Sequence, residues 1–320
     1  MGSAQVVLGD ATSSGILSQI EGNWTWTNNI QLVGSANIIR NNSAGVPRTL
    51  KLQGVLSGAG NVTFADTTGG INTADRGIIL TGTNTMGGQV TVDTFVRVGG
   101  VGGDYDVGYW GAGTTGSLGT ASVVINGSKI LTFSRSDSHV VANAISGAGS
   151  VRIGSTGITG TATQDVTLSG ANTYTGGTEL LQGTLRVGSI SNLGSFTTGN
   201  EGYLAVKSGA TLVYTGAGET TGRNLYMDNG AATINVSDAN ATLRWTDAST
   251  KGGANGGLIT KDGAGTLVLD GAITDGGATA VRVAAGTLRL GGANTYSGAT
   301  TIDAGATLDV SGSGTLLSTT

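Results

Sequence analysis

Residues 170–187 read GANTYTGGTELLQGTLRV, and residues 292–310 read GANTYSGATTIDAGATLDV. They are one unit, with a single residue inserted before the last strand. A degraded copy, GTNTMGGQVTVDTFVRV, occupies 82–98, and a half-copy over 271–290 ends in AAGTLRL. A second element precedes these units: VLSGAGNVTF at 55–64, AISGAGSVRI at 144–153 and ITKDGAGTLVL at 259–269. The order is constant. A Gly-Ala-Gly turn leads into an alternating strand, a variable loop, the Asn-Thr unit and a closing strand. Units that return in this way bury their apolar face against copies of themselves. Their separations differ, so the array carries insertions between units.

Composition narrows the choice further. The chain of 320 residues holds 59 Gly, one Pro (Pro47), no Cys and one His (His139). Each Gly inside a helix costs about 1 kcal/mol, so long helices are excluded. Gly has no period of three and Pro is almost absent, which excludes collagen. Disulfides and thiolate metal sites cannot form. An apolar fraction of 38% with a net charge of −4 gives the chain enough to bury and little to repel, unlike a disordered polymer. The basic residues are scattered, without a stripe for nucleic acid or a patch for membrane lipid. No run approaches the ~18 apolar residues of a spanning helix.

Apolar residues alternate in short runs of the form Thr-Leu-x-Val/Leu. Strands are expected at 49–53, 61–64, 78–81, 95–98, 122–125, 129–133, 166–168, 184–187, 204–206, 211–214, 233–236, 242–245, 266–269, 287–290 and 307–310. The spacing places Leu185 and Val187 on one face and Arg186 on the other, with Arg244, Arg289 and Asp309 in the same polar slot. Gly or Asn-Gly closes each strand and supplies positive φ. A sandwich of this size would need two or three domains and unlike hairpins. The repeats favour an all-β parallel β-solenoid over the whole chain, with looser coils at 1–54 and repeat units at 55–143, 144–257 and 258–320. At about 20–25 residues per coil the chain makes about 13–16 coils, each ~4.8 Å from the next.

The units resemble the passenger-associated β-strand repeats of bacterial autotransporters. The resemblance is carried by ISGAG at 145–149, LSGANTYTGGT at 168–178, QGTLRVGS at 182–189, DGAGTLVL at 262–269 and GGANTYSGATTIDAGATL at 291–308. Residues 118–149 are similar to the linker between such units. The resemblance implies a right-handed parallel β-helix, exported through the outer membrane and displayed on the cell surface or secreted, with repeats that aid translocation by folding as they emerge. It brings no catalytic residue. The absence of Cys suits export to an oxidising compartment, and low charge suits threading. Met1-Gly2-Ser3 reads as an added start rather than a signal peptide, and the C-terminus falls within repeat-like sequence, so the chain reads as part of something longer. Cut solenoid edges invite head-to-tail self-association.

Each candidate motif has a plainer reading. Gly111 to Gly116 matches a dinucleotide fingerprint in spelling, but no strand–helix context surrounds it. Gly99 to Asp104 approaches a calcium nonapeptide, but Asp106 stands where an apolar residue belongs and no tandem copy follows. Asp104, Tyr105, Asp106, Tyr109 and Trp110 form the densest aromatic and acidic cluster. Such a loop suits glycan or host-surface binding, or polysaccharide cleavage by carboxylates; packing of a long loop is the plainer alternative. Trp24 and Trp26 share a face and are expected to cover the first coil. Asn172 and Asn294 are expected to stack or to stabilise turns, since Asn tolerates the left-handed region and bonds nearby backbone, with Tyr174 and Tyr296 covering those turns. His139 lacks a partner for triad chemistry and is expected on a partly exposed strand. Thr is scattered over turns and strand starts, without the Thr-x-Thr array an ice-binding face needs. No cofactor or metal is called for. An enzyme would need carboxylates meeting on neighbouring coils, and the chain has four Glu. The reading is a non-enzymatic stalk, scaffold or adhesive surface, with a carbohydrate-active β-helix as its alternative.

Overall fold

The computed structural model describes residues 5–19, 22–40, 49–67, 77–100, 113–154, 164–196, 202–207, 209–227, 230–246, 249–252 (backbone), 257–274, 279–310, 312 and 314–316. The protein is a parallel β-solenoid. The strand pairs among the described residues are parallel, and each strand pairs with its counterpart one coil away. It forms two compact units, one of residues 1–166 with 170–176 and one of 167–169 with 177–320.

In the first unit three sheets run side by side. One holds Val6–Leu8, Ile30–Leu32, Leu56–Gly58 and Thr85–Met86. A second climbs through six strands, from Gly15–Ser18 to Ile145–Gly147. The third runs from Trp24–Trp26 through Leu50–Leu52, Ile78–Leu80, Val96–Val98 and Ile130–Phe133 to Ser150–Ile153. The second unit repeats the plan. One ladder joins Thr178–Leu180, Leu204–Val206, Leu225–Met227, Ser249–Gly252 and Ala272–Thr274. Another joins Thr184–Val187 to Thr300–Ile302 through the intervening coils. The last is a five-stranded sheet from Glu219–Thr221 to Thr307–Val310.

Alternation builds the core. Leu185, Leu212, Ile234 and Ile259 stand inward on successive rungs or beside them, fully buried or nearly so. Apart from Lys261, which pairs with Ile234, these inward positions stack apolar on apolar, so apolar surface is removed from water by the next coil. All fifteen expected strands are present within a residue or two of their expected bounds. The rungs lie further apart in sequence than expected. Thr287 pairs with Thr307, 20 residues on, but Gln89 pairs with Ser122, 33 residues on. The longest ladders therefore have six rungs in each unit, fewer than an even division into about 13–16 coils.

The Gly-Ala-Gly turns are the corners. Gly58 and Gly147 end a strand and Gly263 follows one, with φ of 102°, 100° and 78°. A methyl group on Gly147 would also sit 2.2 Å from the Ile125 carbonyl oxygen of the coil below. Both constraints require glycine. The Asn-Gly corner differs from expectation. Positive φ falls on Ser128, not on Gly127.

Threonine is ordered rather than scattered. Thr184, Thr211, Thr233 and Thr260 stack outward in one column, and Thr242, Thr266, Thr287 and Thr307 in another. Two residues along the second column stand Arg244, Val268, Arg289 and Asp309, so no second Thr column forms. Arg289 pairs with Asp309 at 2.7 Å, Arg282 with Asp303 at 2.5 Å and Arg244 with Asp270 at 2.6 Å, all on the exposed surface.

Candidate functional site

Asparagines inside the solenoid are the most distinctive chemical feature. Asn172 and Asn294 are buried, as is Asn84 of the degraded copy. Their Oδ1 atoms accept from the backbone N–H of Ile145 at 3.0 Å, of Ile273 at 2.9 Å and of Leu56 at 2.8 Å. Each acceptor serves the preceding coil, 21–28 residues back. The amide nitrogens reach the other way. Asn84 Nδ2 donates to Ser117 O at 2.8 Å, and Asn294 Nδ2 donates to Thr315 O at 3.0 Å and Gly292 O at 2.9 Å. One amide thus clasps backbone before and after it. None of the three asparagines has positive φ; apart from the local bond of Asn294 to Gly292 O, the bonds run between coils and give strand-end backbone groups a partner.

Tyr174 and Tyr296 are buried in the core beside their asparagines, and Met86 takes the position in the degraded copy. The Tyr296 hydroxyl shares a 2.8 Å hydrogen bond with Thr300 Oγ1, which satisfies its polar end. Burial pushes the Tyr296 hydroxyl pKa up.

The loop at Asp104, Tyr105, Asp106, Tyr109 and Trp110 lies outside the described residues, as do Val101 to Ala112 of the two Gly-rich motifs. Its downstream base is described. Gly113 pairs with Arg135. The Arg135 guanidinium donates to Thr114 O at 2.8 Å, to Gly116 O, and to both oxygens of Asp137 at 2.8 Å each. Arg135 holds the Asp137 carboxyl below its ordinary range. His139 follows on Ser138–Val141, half-buried beside Phe133 at 6.3 Å between rings. Burial, then the Arg135 charge, pushes its pKa down, against a smaller upward pull from Asp137.

Trp24 and Trp26 stand in register with the buried Leu50 and Leu52. They face inward on the first coil, and Trp24 is 38% exposed because no coil among the described residues lies below it. On the opposite face of that sheet runs Thr25, Lys51, Ile79, Arg97, Thr132 and Arg152. Ile79, Arg97, Thr132 and Arg152 are buried although they point away from the core, and burial lowers the Lys51 amine pKa. This column is invisible in the sequence, since its members come from coils of unequal length.

Two buried cations hold the second unit. Lys261 replaces the inward Leu56 or Ile145 of the other corners, and its Nζ donates to the carbonyls of Asp262 and Gly263 at 2.8 Å and Ala285 at 3.0 Å. Burial lowers its pKa to about 8, with Asp262 opposing. Arg223 donates to Leu193 O at 3.2 Å, Gly194 O at 2.6 Å and Gly202 O. No group of three or more His, Asp or Glu arranged to hold a metal occurs among the described residues. No described helix is long and apolar enough to cross a membrane, which says nothing of membrane β-barrels.

The family model for the passenger-associated-transport-repeat matches residues 159–187, 259–282 and 285–310. Three segments of the chain thus match a repeat of autotransporter passengers. No curated protein and no solved structure matches. The first repeat contains the Asn172 clasp and the strand Thr184–Val187, and the third contains Asn294 and Thr307–Val310. Asn84 lies outside the matched segments yet makes the same bonds. The repeat is one of autotransporter passengers, and it implies export to the cell surface or secretion.

Proposed function

We propose that this chain is a non-enzymatic segment of an exported passenger, acting as a surface stalk or scaffold whose coil-by-coil folding helps draw it outward. The observation that carries this is a buried asparagine that accepts from the preceding coil at three places, Asn84, Asn172 and Asn294, and at Asn84 and Asn294 also donates to the following one. A coil bound to its neighbours by ladder bonds and a buried amide resists slipping back through a pore once both neighbours have formed. Removing a clasp leaves buried N–H and C=O groups unpaired. The test is a surface-display assay with this segment inside a passenger. Asn172→Ala with Asn294→Ala should lower the protease-accessible fraction several-fold at equal synthesis. Unchanged display would remove the clasp from export.

A second reading is adhesion to glycans or host surfaces through the Asp104–Trp110 loop. The Arg135 anchor favours it, because a loop with a fixed base loses less entropy on binding. A glycan array with a reducing-sugar assay tests it. Release of reducing ends that disappears in Asp104→Asn would replace the structural reading with a carbohydrate-active one.

A further inference from the structure

The second unit presents its aromatic residues unevenly. Tyr214 and Tyr296 are buried. Tyr203 and Tyr226 instead lie half-buried outside the core of the sheet of Thr178–Leu180, Leu204–Val206 and Leu225–Met227. Their rings meet edge to face at 5.7 Å. Register brings them together, with Glu179, Ala205 and Tyr226 on successive rungs. The Tyr203 hydroxyl donates to Glu179 Oε1 at 3.0 Å. Its ring lies against Gly177, where a methyl group would be 2.8 Å from Tyr203 Cδ1. Phe196 lies near this pair, its ring against Gly222. It is 42% exposed, and its backbone packs against Gly202, next to Tyr203. The buried Arg223 guanidinium stacks on the Phe196 ring at 5.4 Å while binding the loop carbonyls of Leu193, Gly194 and Gly202. The buried Arg223 thus ties down the loop carbonyls on either side of Phe196 while its guanidinium lies over the Phe196 ring.

We propose that Phe196, Tyr203 and Tyr226, with Glu179, form a binding face for a neutral glycan that does not draw on the residues of the Asp104–Trp110 loop. Rigid aromatic rings offer π-faces to the apolar faces of sugar rings at little entropic cost. Glu179 and the tyrosine hydroxyls supply hydrogen-bonding oxygens suited to sugar hydroxyls. The local carboxylate and the net charge of −4 disfavour uronates and sulfated polymers.

The test is affinity electrophoresis of the whole chain through gels containing soluble mannan, galactomannan, dextran or hydroxyethyl cellulose, with polygalacturonate as the anionic comparison. At least one neutral polymer should retard the protein. Phe196→Ala and Tyr226→Ala should each weaken retardation about tenfold, a loss equal to about 1.4 kcal/mol. Tyr226→Phe, which keeps the ring, should retain most of the binding, and circular dichroism melts should show that all variants stay folded. Trp110→Ala should leave retardation intact. Failure of every neutral polymer, preference for the anionic one, or loss in Trp110→Ala but not in Phe196→Ala would each overturn the assignment.

Discussion

Ser128 is the one non-glycine residue with positive φ among those described, at 58°. It occupies the third position of a four-residue turn closed by Lys129 N on Asn126 O at 3.1 Å. The matching turns, Lys207 to Ala210 and Asp303 to Ala306, place Gly209 and Gly305 there, with φ of 77° and 82°. Ser128→Gly should therefore stabilise the chain by about 0.5–1 kcal/mol, strain relief exceeding the added unfolded-state entropy. Urea midpoints at constant slope measure it, and a lower midpoint would contradict it. Asn294→Ala removes a buried amide that serves three backbone groups, and should cost about 2–4 kcal/mol. Hydrogen exchange should locate the loss at the amide of Ile273. Uniform loss across the unit, without preference for that amide, would deny the clasp. The Asn-Thr spelling marked these residues from the outset, but not their bonds. Partners 21–28 residues away become neighbours only once the coil length is known.

At the scale of elements, Thr-Leu-x-Val runs were readable because one strand per coil keeps a clean alternation. Strands such as Glu219–Thr221 and Leu225–Met227 were missed, having too few residues to show a period. The Tyr203–Tyr226 contact was equally hidden, since unequal coils set its register. Lys261 breaks the alternation outright, a charged residue at an inward position on Leu258–Asp262. Its pKa of about 8 when folded lies below the ordinary 10.5. Below pH 8 the amine is charged in both states, and the fold bears the full cost of burying it. Between about pH 8 and 10.5 the unfolded chain binds a proton that the folded one lacks, so stability rises with pH by up to about 3 kcal/mol. Thermal melts from pH 7 to 10 should show this rise, and Lys261→Met should flatten it. A parallel rise in Lys261→Met would place its origin elsewhere.

In the 320-residue chain, the first and last described coils have a strand partner on one side only. Val6–Leu8, Gly15–Ser18 and Trp24–Trp26 pair upward with the next coil, and Thr300–Ile302 and Thr307–Val310 pair back to the one before. The inward positions show the consequence. Ile302 is 49% and Val310 38% exposed, whereas Val283 and Leu290, their partners one rung below, are fully buried. Unpaired N–H and C=O groups beside bare apolar side chains form a template for another strand layer. A parallel solenoid has complementary edges at its two ends, so the opposite end of a second copy would complete the ladder in a heterologous contact that propagates. Sedimentation velocity should show species growing with protein concentration. Ile302→Lys with Val310→Lys should suppress them without lowering the melting temperature by more than a few degrees, since both side chains are already half in water. A wild-type chain that stays monomeric at every concentration would show instead that the end coils are closed by their own loops.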